Sequence, residues 1–223
     1  MEIVLGRKMK AGFKPTFFVV AAFSMIAAPS SARSSIEAGV LEEVNFLRSN
    51  PRAYARELEA LMARFDGKIL LGEGDGPDYS TYEGPRAVSE AARELRNRRA
   101  VNSLMPSELL ARAAADHVRA QGASGQTGHY SNGKGPGQRV KARGGNVYVG
   151  EVIVYNYTSA QNAVQQLVVD DGVPDRGHRK LLFLPQYRYA GVACGSHKQW
   201  RNMCVIVLAQ TEDGSPIMPP RGE

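Results

Sequence analysis

The stretch Tyr187-Arg-Tyr-Ala-Gly-Val-Ala-Cys-Gly-Ser-His-Lys-Gln-Trp-Arg-Asn-Met-Cys-Val-Ile-Val-Leu-Ala-Gln210 decides the fold class. Two apolar, β-prone runs, Tyr187–Cys194 and Met203–Gln210, flank a polar, turn-like segment from Gly195 to Asn202. Runs of this kind, joined by turn residues, form an antiparallel hairpin. Upstream, Val147–Tyr155 (VYVGEVIVY) reads as a further strand. Thr158 and Gln161 make a capping box for a helix over Ala160–Val169, which the Asp170-Asp171-Gly172-Val173-Pro174 segment must end.

Working further outward, Ile36, Val40, Leu41, Val44 and Leu47 recur at helical spacing. Asn50-Pro51 interrupts them as an N-cap and first helical residue, and Tyr54, Leu58, Leu61, Met62 and Phe65 continue the stripe. Five glycines and two prolines make residues 66–85 mostly loop, with Ile69–Leu71 extended. Arg86–Val101 reads as a charged helix. The helix opening near Pro106-Ser107 carries Leu110, Ala113, Ala114, His117 and Gln121 on one face. Gly122–Gly145 is glycine-rich and polar and holds His129, and the tail from Ser215 reads as disordered. Helices followed by strand, helix and two strands predict an α+β fold, with helices covering an antiparallel sheet.

The N-terminus has the form of an export signal. Arg7, Lys8, Lys10 and Lys14 precede the apolar run Phe17–Ala28, and Pro29-Ser30-Ser31-Ala32 offers a cleavage site after Ala32. Twelve apolar residues span about 18 Å as a helix, short of the roughly 30 Å hydrocarbon core. The alternative is an uncleaved anchor; with cleavage, the membrane enters only during export. The expected organisation is then a signal peptide over 1–32, a helical part with a glycine-rich loop over 33–100, a core over 101–212 and a flexible tail over 213–223. Loss of residues 1–32 leaves 24 Lys and Arg against 21 Asp and Glu, where the whole chain has 28 against 22. A charge that close to neutral gives no support to nucleic-acid binding. Arg93, Arg96, Arg98 and Arg99 read as a solvated helix face. Secretion or periplasmic residence makes a Cys194–Cys204 disulfide across the hairpin the expectation, with two reduced buried thiols as the alternative.

The chemistry-bearing residues are His129 in Gly128-His129-Tyr130, Glu151 after Gly150, Asp171, and His178 in Arg176-Gly177-His178-Arg179. Each sits beside an element boundary, where rigid scaffolds present functional groups. Only a chain that returns on itself brings the two histidines together. His117, on an apolar helix face, reads as a core or rim histidine. His197, in the hairpin turn, reads as exposed.

In order and spacing these motifs resemble the CAP superfamily (cysteine-rich secretory protein, antigen 5 and pathogenesis-related 1) in its bacterial secreted, SCP-like form. The residues carrying the likeness are the Leu109–His117 helix, Gly128-His129, Gly150-Glu151, Gly177-His178-Arg179 and Gly191-Val192-Ala193, with Asn45, Arg48 and Pro51 in the first helix. The resemblance implies a three-layer α–β–α sandwich with a central antiparallel sheet. It also implies a cleft lined by His129, Glu151, His178 and, by position, Asp171. Val168 stands where the family has tryptophan, and Val152 where asparagine follows Gly-Glu.

Two imidazoles and a carboxylate facing one cleft could hold Zn²⁺ or another divalent metal, with His129 and His178 as the metal ligands. No HExxH or paired Cys/His spacing marks a dedicated site. The bland alternative is that the histidines hydrogen-bond to the acids and tie loops to the sheet. The expected role is an extracellular binding module whose ligand is apolar (a lipid) or a peptide. The rival is a metal-dependent hydrolase acting on envelope polymers or peptides. It lacks a Gly-x-Ser-x-Gly elbow, with Ser131 no more than a candidate nucleophile, although water activated by a bound metal removes that need. The balance leans away from an enzyme.

Overall fold

A computed structural model describes residues 35–217 except 73 and 75. The export signal expected over 1–32 and the last residues of the tail lie outside these. Seven helices are present among the described residues: α1 (Ile36–Ser49), α2 (Pro51–Leu61), α3 (Pro85–Asn97), α4 (Glu108–Ser124), α5 (Pro136–Ala142), α6 (Ala160–Val169) and α7 (Gly177–Leu182). The strands are β1 (Phe65–Asp66), β2 (Ile69–Leu70), β3 (Tyr79–Ser80), β4 (Met105–Pro106), β5 (Val149–Tyr155), β6 (Tyr189–His197) and β7 (Arg201–Ala209).

The central sheet has the order β4-β6-β7-β5. Its long strands are antiparallel, and β4 adds a two-residue parallel pairing to β6. Period-two alternation buries both faces of β7. Met203, Val205, Val207 and Ala209 meet Leu110, Ala113, Ala114 and Val118 of α4 in one core. Cys204, Ile206 and Leu208 join residues of α1, α2, α3 and α6 in the other. Helices therefore cover the sheet on both sides, as the α+β reading expects. Gly191 lets β6 approach α4, since a Cβ there would run into the backbone of Leu110 and Ala111.

The family-like residues of α1 act as staples. Asn45 Nδ2 donates to Leu104 O (3.0 Å), and its Oδ1 accepts from Leu104 N (2.7 Å). The buried Arg48 guanidinium donates to Asn102 O, Leu182 O and Tyr187 O, joining α1 to the segment that leads into β6. Burial brings its pKa down to about 10, so it stays charged at neutral pH.

Several local expectations are corrected. Ser159, not Thr158, caps α6, its Oγ accepting from Asn162 N (3.0 Å), because the capping residue directly precedes Ala160. The glycine-rich 122–145 segment contains α5, opened by Pro136, which is too short to show a helical period. The 66–85 segment is mostly loop as expected, with Ile69–Leu70 extended, and these two residues pair antiparallel with Phe65–Asp66 and Tyr79–Ser80 as a short strap. α3 stops at Asn97 rather than Val101, because Val101 N is needed by Arg48 O (2.9 Å). The tail is held as far as Ile217: Ser215 N and Oγ donate to Asp213, and Asp213 O and Gly214 O accept from Asn146 N and Tyr148 N. The strands of the hairpin extend to His197 and Arg201, leaving a turn of Lys198–Trp200.

Candidate functional site

Glu151 lies on β5, on the face shared with Ile153, and is buried beneath α5 and the 122–135 loop. Its carboxylate is divided between two partners. Oε1 accepts from Nδ1 of His129 (2.9 Å), and Oε2 from the guanidinium of Arg139 on α5. Arg139 is itself buried and also donates to His129 O and Lys134 O, both at 2.9 Å. It therefore fixes the histidine loop and neutralises the acid together. The sequence reading missed Arg139; the Pro136 that opens its helix was the available signal.

A second pair forms at the far end of α6. Asp170 caps that helix in the left-handed region (φ 55°), a conformation aspartate tolerates better than most residues. Its carboxylate accepts from His178 N (2.9 Å) and from His178 Nδ1 (2.6 Å). The family-based expectation named Asp171 as the second acid; Asp171 lines one groove with His178, but the acid that pairs with His178 is its neighbour Asp170. Asp171 instead accepts from Tyr82 N (2.6 Å) and Glu83 N (2.8 Å).

Carboxylates only accept hydrogen bonds, so each Nδ1 carries a proton and each Nε2 is the ring atom left over. Neither Nε2 is hydrogen-bonded among the described residues. A groove of about 700 Å³ runs beside Ile153–Asn156 of the β5 segment, with His178, Asp170, Tyr82 and Trp200 among its walls. His129 thus pairs with Glu151, and His178 with Asp170. Among the described residues no group of three or more His, Cys, Asp or Glu side chains is arranged to hold a metal ion. The divalent metal that the sequence suggested for His129 and His178 therefore has no three-residue ligand group among the described residues.

The hydrogen-bond parity of β5 shapes this groove. Antiparallel partners alternate between bonded and non-bonded pairs. Asn156 N donates to Asn202 O (3.0 Å), and the same register pairs Val154 with Cys204 and Val152 with Ile206. Residues 152, 154 and 156 therefore bond to β7, while Ile153 and Tyr155 turn N–H and C=O away from it. The same alternation makes Cys194–Cys204 a non-bonded pair across β6 and β7, and their disulfide forms there with Cα atoms 4.1 Å apart. This bridge fits an oxidising compartment.

The other histidines are fixed in place. His117 is fully buried; Nε2 donates to Gly128 O (2.9 Å) and Nδ1 accepts from Ser131 Oγ (2.8 Å). Ser131 is thereby buried in a structural contact. His197 overturns the expectation of exposure. It is 2 % exposed, pairs through Nε2 with Gln126 O (2.9 Å), and accepts at Nδ1 from Trp200 N (3.1 Å), closing the hairpin turn. Arg179, beside His178, reaches Glu90 and Glu94 and so ties α7 to α3. Among the described residues no helix is long and apolar enough to cross a membrane.

Among solved structures, the chain is similar to an extracellular protein containing a SCP domain from Bacillus anthracis str. Ames. The two are 22 % identical with a TM-score of 0.40, over 48 % of this chain and 34 % of the other, so this chain spans about a third of that protein's length. Compared with curated proteins, it matches none. Residues 90–209 match the family described as CAP, the cysteine-rich secretory protein family, over a span that holds both His–carboxylate pairs and the disulfide. The chain belongs to the CAP family.

Proposed function

We propose that this protein is an extracellular binding module that takes an extended peptide along the outer edge of β5. The observation that carries this reading is the parity of that strand. Ile153 and Tyr155 direct main-chain donors and acceptors away from β7, in a segment that walls a groove of about 700 Å³. A peptide that adds a strand to a sheet edge gains affinity from main-chain hydrogen bonds and selectivity from pockets for alternate side chains. Tyr82 and Trp200, both exposed, supply aromatic surface at the groove. His178 Nε2 adds an acceptor when the ring is neutral. Export is supported by the charged and apolar N-terminus and by the disulfide.

Binding is favoured over metal-assisted hydrolysis for a structural reason. Among the described residues no group of three or more His, Cys, Asp or Glu side chains is arranged to hold the metal that such hydrolysis needs. The test is selection of peptides from a displayed library on the folded protein, followed by amide mapping. Selected peptides should perturb the Ile153 and Tyr155 amides and bind about ten-fold more weakly to Trp200→Ala. Failure to select any peptide, or peptides that leave both amides untouched, would sink the proposal.

A further inference from the structure

A groove of about 530 Å³ lies between α4, α5 and the turn Ser131–Lys134, with Arg119, Lys134, Arg143 and Asp116 among its walls. Hydrogen bonds fix both sides of it. Asn132 and Gly133 lie in the left-handed region (φ 51° and 72°), and Ser131 and Lys134 bond to each other through both main-chain N–H groups (3.2 and 2.9 Å). This is the tight two-residue hairpin that an Asn-Gly pair favours. Ser131 Oγ is bonded to His117, and Lys134 O accepts from the buried Arg139 (2.9 Å), which anchors the turn. On the other side, Asp116 Oδ2 accepts from Arg143 Nε (2.7 Å), while Oδ1 accepts from the guanidinium groups of Arg143 and Arg119. One carboxylate thus holds two guanidinium groups side by side.

The charges of the groove do not balance. Arg139, which also lines it, is neutralised by Glu151. Arg119, Arg143 and Lys134 remain against Asp116, three cations to one carboxylate. The hydrogen bonds from Arg143 hold the Asp116 carboxyl below its usual 3.8, so that carboxylate stays charged and committed to the two arginines. A concave site with a surplus of one sign focuses its field and draws the opposite charge. Here the surplus comes from three separate elements, and an anion between them offsets their mutual repulsion. The surplus also selects the anion. A carboxylate brings one charge and two oxygens, whereas a phosphomonoester brings nearly two charges and three strong acceptor oxygens.

We propose that this groove binds a phosphomonoester, whose phosphoryl oxygens accept hydrogen bonds from Arg119, Arg143 and Lys134. The volume lies within the roughly 300–1,000 Å³ range of ligand pockets, so a body such as a single sugar ring fits beside the phosphoryl group. The same chemistry is offered by a soluble sugar phosphate and by the head of a phosphomonoester lipid. This site is independent of the peptide reading, because none of its lining residues takes part in the groove beside β5.

The test is calorimetric titration of the full chain at neutral pH and low salt with glucose 6-phosphate and, separately, with glucuronate. Glucose 6-phosphate should bind one-to-one, about ten-fold more tightly than glucuronate, and more weakly as salt is added. Lys134→Ala and Arg119→Ala should each weaken it about ten-fold, and Lys134→Glu should abolish it. Both side chains are exposed, so an unchanged melting temperature shows that the variants fold. Arg56→Ala on α2, away from the groove, should leave binding unchanged. Co-sedimentation with phosphatidic acid vesicles, set against phosphatidylcholine vesicles, separates the two sources. Sedimentation with phosphatidic acid that Lys134→Glu loses would assign the phosphoryl group to a lipid head, and binding of glucose 6-phosphate alone would assign it to a soluble molecule. Binding of neither would overturn the proposal. Glucuronate as tight as glucose 6-phosphate, or equal binding by wild type and Lys134→Glu, would overturn it too.

Discussion

His117 joins α4 to the loop that carries His129, and its two ring nitrogens have different duties. Gly128 O accepts only, so Nε2 holds the proton and Nδ1 takes the hydroxyl of Ser131. Burial, with Arg139 nearby, lowers the imidazole pKa from 6.5, so the ring is neutral in the folded protein. Replacing it with alanine leaves Ser131 Oγ without its partner and opens a cavity, while Gln121 Nε2 still serves Gly128 O (2.7 Å). We expect a loss of about 3 kcal/mol in urea denaturation. The unfolded chain takes up the proton first as pH falls below 6.5, so wild-type stability should decline there and His117→Gln should lack that part of the decline. An unchanged pH dependence in the variant would count against a neutral ring. The burial of His117 was legible from its place on an apolar helix face. That of His197 was not, because a turn residue gives no sign that its ring folds back over its own turn.

At the scale of elements, the terminal hairpin was the most readable part of the chain, since its strands are apolar, β-prone runs set apart by a polar turn. The disulfide follows from the alternation of bonded and non-bonded pairs. Cys194 and Cys204 face each other at a non-bonded position, the close pairing of an antiparallel ladder at about 4.5 Å. By constraining the unfolded chain, the bridge should contribute about 2–3 kcal/mol. Denaturation of Cys194→Ser/Cys204→Ser against wild type measures it, and a difference under about 1 kcal/mol would mean that the ladder alone fixes the hairpin. Less regular elements hid for physical reasons. α5 is seven residues long, and the strands of the strap are two residues each, so neither extends far enough for a period to be seen. The substitution of Asp170 for Asp171 has a similar origin. Helix α6 was bounded correctly at Val169, but which of the two following aspartates pairs with His178 leaves no mark in composition.

Across the whole molecule, contacts between distant segments carry what the sequence could not show, and the strap is held by one such set. Asp171 accepts from the backbone of Tyr82 and Glu83, and the Glu83 carboxylate meets the Arg176 guanidinium and Gly172 N (3.0 Å). Arg176 in turn reaches Glu90 of α3, whose own carboxyl is pulled below the usual range by Arg179. The Arg176 hydrogen bonds, seconded by Gly172 N, hold the Glu83 pKa at about 2 instead of 4.5. Its sign is fixed by proton uptake: in the opened state Glu83 protonates near 4.5, in the clasped state near 2. The clasp should therefore be at full strength above pH 4.5, weaken as pH falls through that interval, and vanish below about 2. Amide exchange at Leu71 and Thr81, which bond to Arg64 O and Lys68 O (both 2.9 Å), reads the strap directly once corrected for intrinsic rates. Glu83→Gln should expose these amides at neutral pH to the degree that acid exposes them in the wild type, and the gap between the two proteins should close toward pH 2. No gap at neutral pH would mean that Asp171 alone fastens the strap.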